Sequence, residues 1–268
     1  MSHSVPITRR TALLTLATVS AVSSACRPQP RPRSQLTFVL VHGAWHGGWC
    51  WKKVVPLLRA DGHQVHTPTL TGLGERRHLS SPQVNLSTHI QDVAAVLDFE
   101  DLHNVVLVGH SYAGFVIAGV AAQAKARVGH IIFLDAFLPE DGKSMLDYNP
   151  LPPGFNDVVR RQGDGWRLPL PFALADFGVT DPLDVAWVTP KITDQPFATF
   201  METLKLPADS FAGLRSSYIR TTEGEPFEPA ATRAAAAGFN VSEMTDAGHD
   251  VMITKPRELV TRLVDLSS

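Results

Sequence analysis

The 268-residue chain predicts an α/β fold, a mostly parallel sheet flanked by helices with a cap inserted late in the chain. Three observations carry that reading. From Leu36 onward, short apolar runs alternate with helical patterns, as parallel strands joined by crossover helices require. The stretch "VVLVGHSYAG", Val105–Gly114, runs from an apolar strand through a tight turn into a helix. Residues 137–216 then break the alternation with prolines and scattered aromatics before it resumes.

In chain order, "LTFVLVHG" reads as a buried strand ending in a glycine loop, and "HQVHTPTL" as a shorter second strand. Thr88 to Phe99 reads as a helix, with Thr88 and Gln91 as a capping box and Ile90, Val93, Ala94 and Leu97 on one face. "NVVLVGH" is the third strand, Ala113–Lys125 the helix behind it, and "HIIFLDA" the fourth strand. After the cap, "SSYIRTT" and "FNVSEMTDA" are strands separated by a helix over Pro229–Ala237. A last helix opens at Pro256 and buries Leu259, Val260, Leu263 and Val264.

Residues 1–26 stand apart from this fold. A basic pair (Arg9, Arg10), an apolar run from Ala12 to Val22 and small residues before Cys26 follow the order of an export signal. The run is too short for a permanent membrane-spanning helix. "SSAC" makes Cys26 a candidate lipidation site, with Ser23 where leucine is usual, and hence a candidate membrane attachment. Residues 27–35, opening "RPQPRPRS", form a proline-rich tether, which leaves 36–268 as the folded domain. With Cys26 lipidated, Cys50 is the one remaining thiol, so no disulfide framework is expected.

A net charge of −2 and the absence of a basic run argue against nucleic acid as partner. A small molecule is the expected ligand. "GHSYAG" suits a nucleophile elbow, in which a strained turn lifts a serine hydroxyl above the sheet. Strand and helix nearly touch there, so the flanking residues must be small; Gly109 and Ala113 both are, although Ala113 stands where a glycine is usual. Ser111 is therefore the candidate nucleophile. "VLVHGAWHGGWCW", Val39–Trp51, supplies a glycine-rich loop whose backbone can face a developing oxyanion. Ala44 N–H, with the N–H of Tyr112 after the serine, is the expected pair of donors. His42 and His46 lie four apart but on a loop without further ligands, so no metal is expected, and His42 reads as a brace for the loop. His249 in "TDAGHDVMITKP" follows the last strand, where the histidine of such a constellation comes last.

The segments "FVLVHGAWHGGWCW", "PTLTGLGER", "VLVGHSYAG", "FLDAFLPEDG" and "GHDVMITKP" resemble the α/β-hydrolase family that holds plant methyl-ester esterases, hydroxynitrile lyases and related bacterial esterases. The resemblance spans most of residues 36–265 and is weakest through the cap. It implies a sheet of about six strands, a cap over the serine, and Ser–His–acid chemistry that needs no cofactor. The lyases carry Glu before the serine and a lysine that handles cyanide; here His110 precedes Ser111, which favours an esterase. In many relatives an Asp after the "YIR-x-T" strand orients the histidine, and Gly224 occupies that place here. Asp135, at the end of "HIIFLDA", and the neighbouring Glu223 or Glu225 are the alternatives. Placement favours Asp135, because an orienting acid should be partly buried and on a rigid element.

The expected function is hydrolysis of a small or medium apolar carboxylic ester through an acyl-enzyme, with Trp45, Trp166, Phe172, Phe177 and Trp187 as candidates for an apolar wall. Lactone or amide hydrolysis, a lyase reaction using Lys191 or Lys205, and non-catalytic binding remain alternatives on the same fold.

Overall fold

A computed structural model describes residues 1–4, 35–148, 155–223 and 227–268. The signal, the tether up to residue 34 and Cys26 lie outside the described residues, as do Gly224 and Glu225. The chain divides into two units, Met1–Arg33 and Ser34–Ser268. Of the first, only residues 1–4 are described; they are exposed and irregular. Among the described residues no helix is long and apolar enough to cross a membrane.

The second unit opens with β1 (Thr37–Val41), α1 (Val55–Ala60), β2 (Gln64–His66), α2 (Leu86–Phe99), β3 (Val105–His110), α3 (Ala113–Ala124) and β4 (Val128–Leu134). The cap follows, with α4 (Met145–Tyr148), α5 (Phe155–Gln162), β5 (Arg167–Leu168), α6 (Pro182–Val188), β6 (Gln195–Pro196) and α7 (Ala198–Met201). The fold closes with β7 (Arg215–Thr221), α8 (Glu228–Ala236), β8 (Asn240–Met244), α9 (Val251–Thr254) and α10 (Pro256–Ser267). The six-stranded sheet has the order β2-β1-β3-β4-β7-β8, and every neighbouring pair is parallel. In the cap, β5 and β6 form a separate antiparallel ribbon.

Helices cover both faces of this sheet, so its central strands β1, β3 and β4 are largely apolar on both sides, while β2, β7 and β8 carry polar residues. Val39, Val41, Val105, Leu107 and Phe133 face one core with Ile90, Val93 and Leu97 of α2 and most of α3. Phe38, Leu40, Val106, Val108 and Leu134 face the other, with Val251, Leu259, Leu263 and Val264 of α9 and α10.

Helix α3 ends at Ala124 and α8 runs Glu228–Ala236, each within one residue of the sequence reading, and the start of α2 differs by more. Helix α2 begins at Leu86, because Asn85 is its cap: Thr88 N–H donates to Asn85 Oδ1 at 3.0 Å, and Asn85 N–H returns to Thr88 Oγ1 at 3.4 Å. Asn85 is a strong capping residue that leaves Thr88 three residues inside the helix.

Candidate active site

The site forms at the carboxyl ends of β1, β3 and β4, where parallel sheets collect ligands. Three non-glycine residues there hold positive φ: Trp45 after β1 (61°), Ser111 after β3 (56°) and Asp135 after β4 (42°). Such strain persists only where the surroundings enforce it. Around Ser111 they do so by contact. A Cβ at Gly109 would lie 2.8 Å from Ala113 O, and one at Gly114 would overlap Phe137 O. Ser111 N–H donates to Leu134 O (3.2 Å), and Ser111 O accepts from Gly114 and Phe137 N–H (3.0 and 3.2 Å). Ala113 is fully buried in the core, so its methyl group fits where a glycine was usual.

Asp135 and His249 meet. His249 Nδ1 lies 2.6 Å from Asp135 Oδ2, and Thr221 N–H donates to Asp135 Oδ1 at 3.1 Å. Asp135 is only 1% exposed, and its own N–H is tied to Ile219 O at 2.7 Å. The imidazole is stacked on Phe227 (ring centroids 5.1 Å apart, 11° between planes) and packed beside Phe177. Glu223 is exposed; its N–H donates to Ala247 O, and it is not among the imidazole's hydrogen-bond partners. Ser111 and His249 line the same cavity, but no hydrogen bond joins them among the described residues. Such bonds commonly tighten only when substrate binds.

Two peptides of the loop after β1 are pinned from behind. His42 Nδ1–H donates to Gly43 O at 2.8 Å, on the far side of the peptide that carries Ala44 N–H, while His42 Nε2 accepts from Leu70 N–H at 3.1 Å. One nitrogen donates and the other accepts, so this ring is neutral. Its complete burial pushes its pKa down to about 3. The next peptide is held by His46 Nδ1–H to Ala44 O (2.7 Å) and by Trp45 N–H to Gln195 Oε1 in the cap (3.1 Å). The loop also abuts Ser111, since a Cβ at Gly43 would lie 3.0 Å from Ser111 Cβ. Tyr112 lines the cavity, and its hydroxyl donates to His89 Nδ1 (3.0 Å). His89 accepts there because its Nε2–H donates to Thr71 O at 2.9 Å.

The cavity, about 350 Å³, is mostly aromatic: Trp45, Phe137, Phe172, Phe177, Phe200 and Phe227 line it. Of the five wall residues expected from sequence, Trp45, Phe172 and Phe177 are there. Trp166 instead lies under the Arg167 guanidinium, and Trp187 packs edge-on against Trp49 between Lys53 and Lys191. Phe137, Phe200 and Phe227 were missed, because weak periodicity in the cap and its flanks gives no facing signal. Glu223 and Asp176 are the acidic lining residues, and no lysine or arginine lines the cavity among the described residues. Lys191 donates to Trp187 O instead.

The Alpha/beta hydrolase family matches residues 38–262 of this chain. The chain belongs to that family. This hydrolase is 39% identical over 245 residues, 85% of its length and 98% of the relative's, to the carbendazim hydrolyzing esterase of a Nocardioides strain. It is 26% identical to methylesterase 9 of Arabidopsis thaliana, across 86% of the hydrolase and 97% of that protein. Three longer chloroplastic relatives from the same plant are 26–29% identical, and the hydrolase spans 56–63% of their length. Among solved structures, an extracellular α/β-hydrolase from a Paenibacillus species, described as structurally and functionally homologous to tobacco salicylic acid binding protein 2, superposes with a TM-score of 0.75. That pair is 27% identical, covering 86% of this chain and 98% of the other.

Proposed function

We propose that this hydrolase cleaves carboxylic esters of small or medium, neutral and apolar compounds through a serine acyl-enzyme. One observation carries the reading: the short, buried His249–Asp135 hydrogen bond (2.6 Å) beside a strained serine in an aromatic cavity. The esterase names of the relatives support the same bond type as the target.

In this mechanism Ser111 Oγ attacks the acyl carbon while His249 Nε2 takes its proton. Asp135 keeps the second imidazole proton on Nδ1 and stabilises the imidazolium. Thr221 N–H holds the other carboxylate oxygen, which fixes the acid in place. Ala44 and Tyr112 N–H groups receive the oxyanion. His249 passes its proton to the departing alcohol, then activates water to release the acid. Histidine, carboxylate and backbone groups complete this cycle without a bound cofactor.

The cavity supports the substrate class. Its wall is aromatic, and its lining charges, Glu223 and Asp176, are acidic, so a carboxylate on the substrate would be repelled. The leaving-group cation that a lyase reaction needs has no candidate among the described lining residues. Export, with lipid at Cys26 as membrane attachment, completes the proposal; the signal-like residues support it, as does the extracellular description of the Paenibacillus relative. Intact-mass analysis of cell fractions, looking for loss of the leader and a lipid adduct on Cys26, tests that part.

The decisive experiment is labelling with a fluorophosphonate followed by an ester panel. Stoichiometric labelling of wild type but not of Ser111→Ala, with turnover of neutral aryl esters, is the expected result. A folded wild-type protein that takes no label and turns over no ester overturns the reading.

A further inference from the structure

Beside the expected catalytic groups lies a second buried His–Asp contact that this chemistry leaves unused. His46 Nε2 is 3.1 Å from Asp250 Oδ2, and the two residues are 2% and 0% exposed. His46 Nδ1 is 2.7 Å from Ala44 O, and a carbonyl oxygen only accepts, so Nδ1 carries hydrogen. Burial would discharge both groups, but each reverses that for the other: the carboxylate raises the imidazole above its usual value and the imidazole lowers the carboxyl below its own. Both shifts favour the ionised pair, in which His46 donates from both nitrogens.

The two ends of this pair belong to the two loops that must cooperate. His46 holds the carbonyl of Ala44, whose N–H is the expected oxyanion donor. Asp250 directly follows His249, and its N–H is anchored to Phe177 O at 2.9 Å. A third contact closes the group: His110 Nε2–H donates to His249 O at 2.9 Å and lies 4.0 Å from Asp250 Oδ1.

We propose that His46 and Asp250 are a positioning pair that ties the Ala44–Trp45 peptide, directly after the oxyanion N–H of Ala44, to the loop of the general base, so that both face Ser111 in register. The proposal rests on the serine-esterase reading. It accounts for a buried ion pair at the edge of an aromatic cavity, where two apolar side chains would be the cheaper filling. Neither residue touches the reacting atoms; both act through Ala44 and His249.

The test uses p-nitrophenyl acetate for turnover and phenylboronic acid as a tetrahedral-adduct probe, on wild type, Asp250→Ala and Asp250→Asn, with near-UV circular dichroism to show folding. For Asp250→Ala, kcat should fall roughly 10- to 100-fold with KM within about threefold, the scale of a displaced oxyanion donor, and boronate affinity should fall in parallel. Asp250→Asn should lose less, because its amide can donate to His46 Nε2 and leave Nδ1–H on Ala44 O. A folded Asp250→Ala with kcat and boronate affinity within twofold of wild type overturns the proposal. If that variant does not fold, Asp250→Asn decides alone: parallel loss of kcat and boronate affinity supports the pair, and unchanged values overturn it. A wild type that neither labels with fluorophosphonate nor turns over ester overturns the esterase reading and this proposal with it.

Discussion

Asp135 Oδ2 stands 2.6 Å from His249 Nδ1 although 114 residues separate the two in the chain. The sheet order β3-β4-β7-β8 sets the carboxyl end of β4 two strands from that of β8, whose following loop carries His249. Asp135→Asn should reduce kcat by roughly 10³–10⁴, the loss seen when a triad acid no longer holds the imidazole tautomer. Glu223→Gln should stay within a few-fold of wild type on neutral esters. Steady-state kinetics on both variants checks this, and the reverse ranking would move the acid role to Glu223.

The elbow makes a stability prediction. Ala113→Gly should keep ester turnover and cost roughly 0.5–1 kcal/mol, the usual penalty of glycine in a helix. Gly114→Ala should be far worse, because its Cβ has nowhere to go but into Phe137 O. Thermal and urea melts of the two variants would rank them, and equal losses would show that the elbow is looser than described.

Cavity charge gives a specificity prediction. A phenyl ester carrying a carboxylate should show kcat/KM on the order of 10-fold below its neutral isostere, as expected for a like charge nearby at intermediate dielectric. Glu223→Gln should recover part of that gap. No difference between the two esters would mean that Glu223 and Asp176 do not face bound substrate.

Acid sensitivity follows from the buried histidines. Burial lowers His42 to about 3 and His89 and His130 to about 4, and pushes His110 well below its usual value. Each stays neutral in the fold but takes a proton near pH 6.5 once unfolded. The unfolded chain therefore binds more protons below that value, and stability falls as pH drops from about 6.5 toward 4. His46 runs the other way: its raised pKa contributes stability that is complete below 6.5 and is lost as pH rises through its folded value. At pH 5 His46 is charged in both states, so the four neutral histidines set the sign. Calorimetric melts should show Tm falling steadily between pH 7 and 5. A flat profile over that range would contradict the neutral state of these rings.

Much of this molecule was legible in local sequence grammar. Apolar runs marked the central strands β1, β3 and β4, because a parallel strand covered on both faces must be largely apolar. "GHSYAG" placed Ser111 on its turn, because only small neighbours let strand and helix touch. The cap and the loop after β7 resisted the same reading, since their short helices, two-residue strands and irregular backbone carry no period, and so Phe137, Phe200 and Phe227 went unnoticed as cavity wall. The sequence by itself determined the order of elements, the turn that carries Ser111 and the loop that faces it, all properties of neighbouring residues. Only the tertiary structure decided which carboxylate meets His249 and which meets His46. Those choices span 114 and 204 residues and depend on the order of strands in the sheet and on which loops it brings together, and neither is written in any local run of residues.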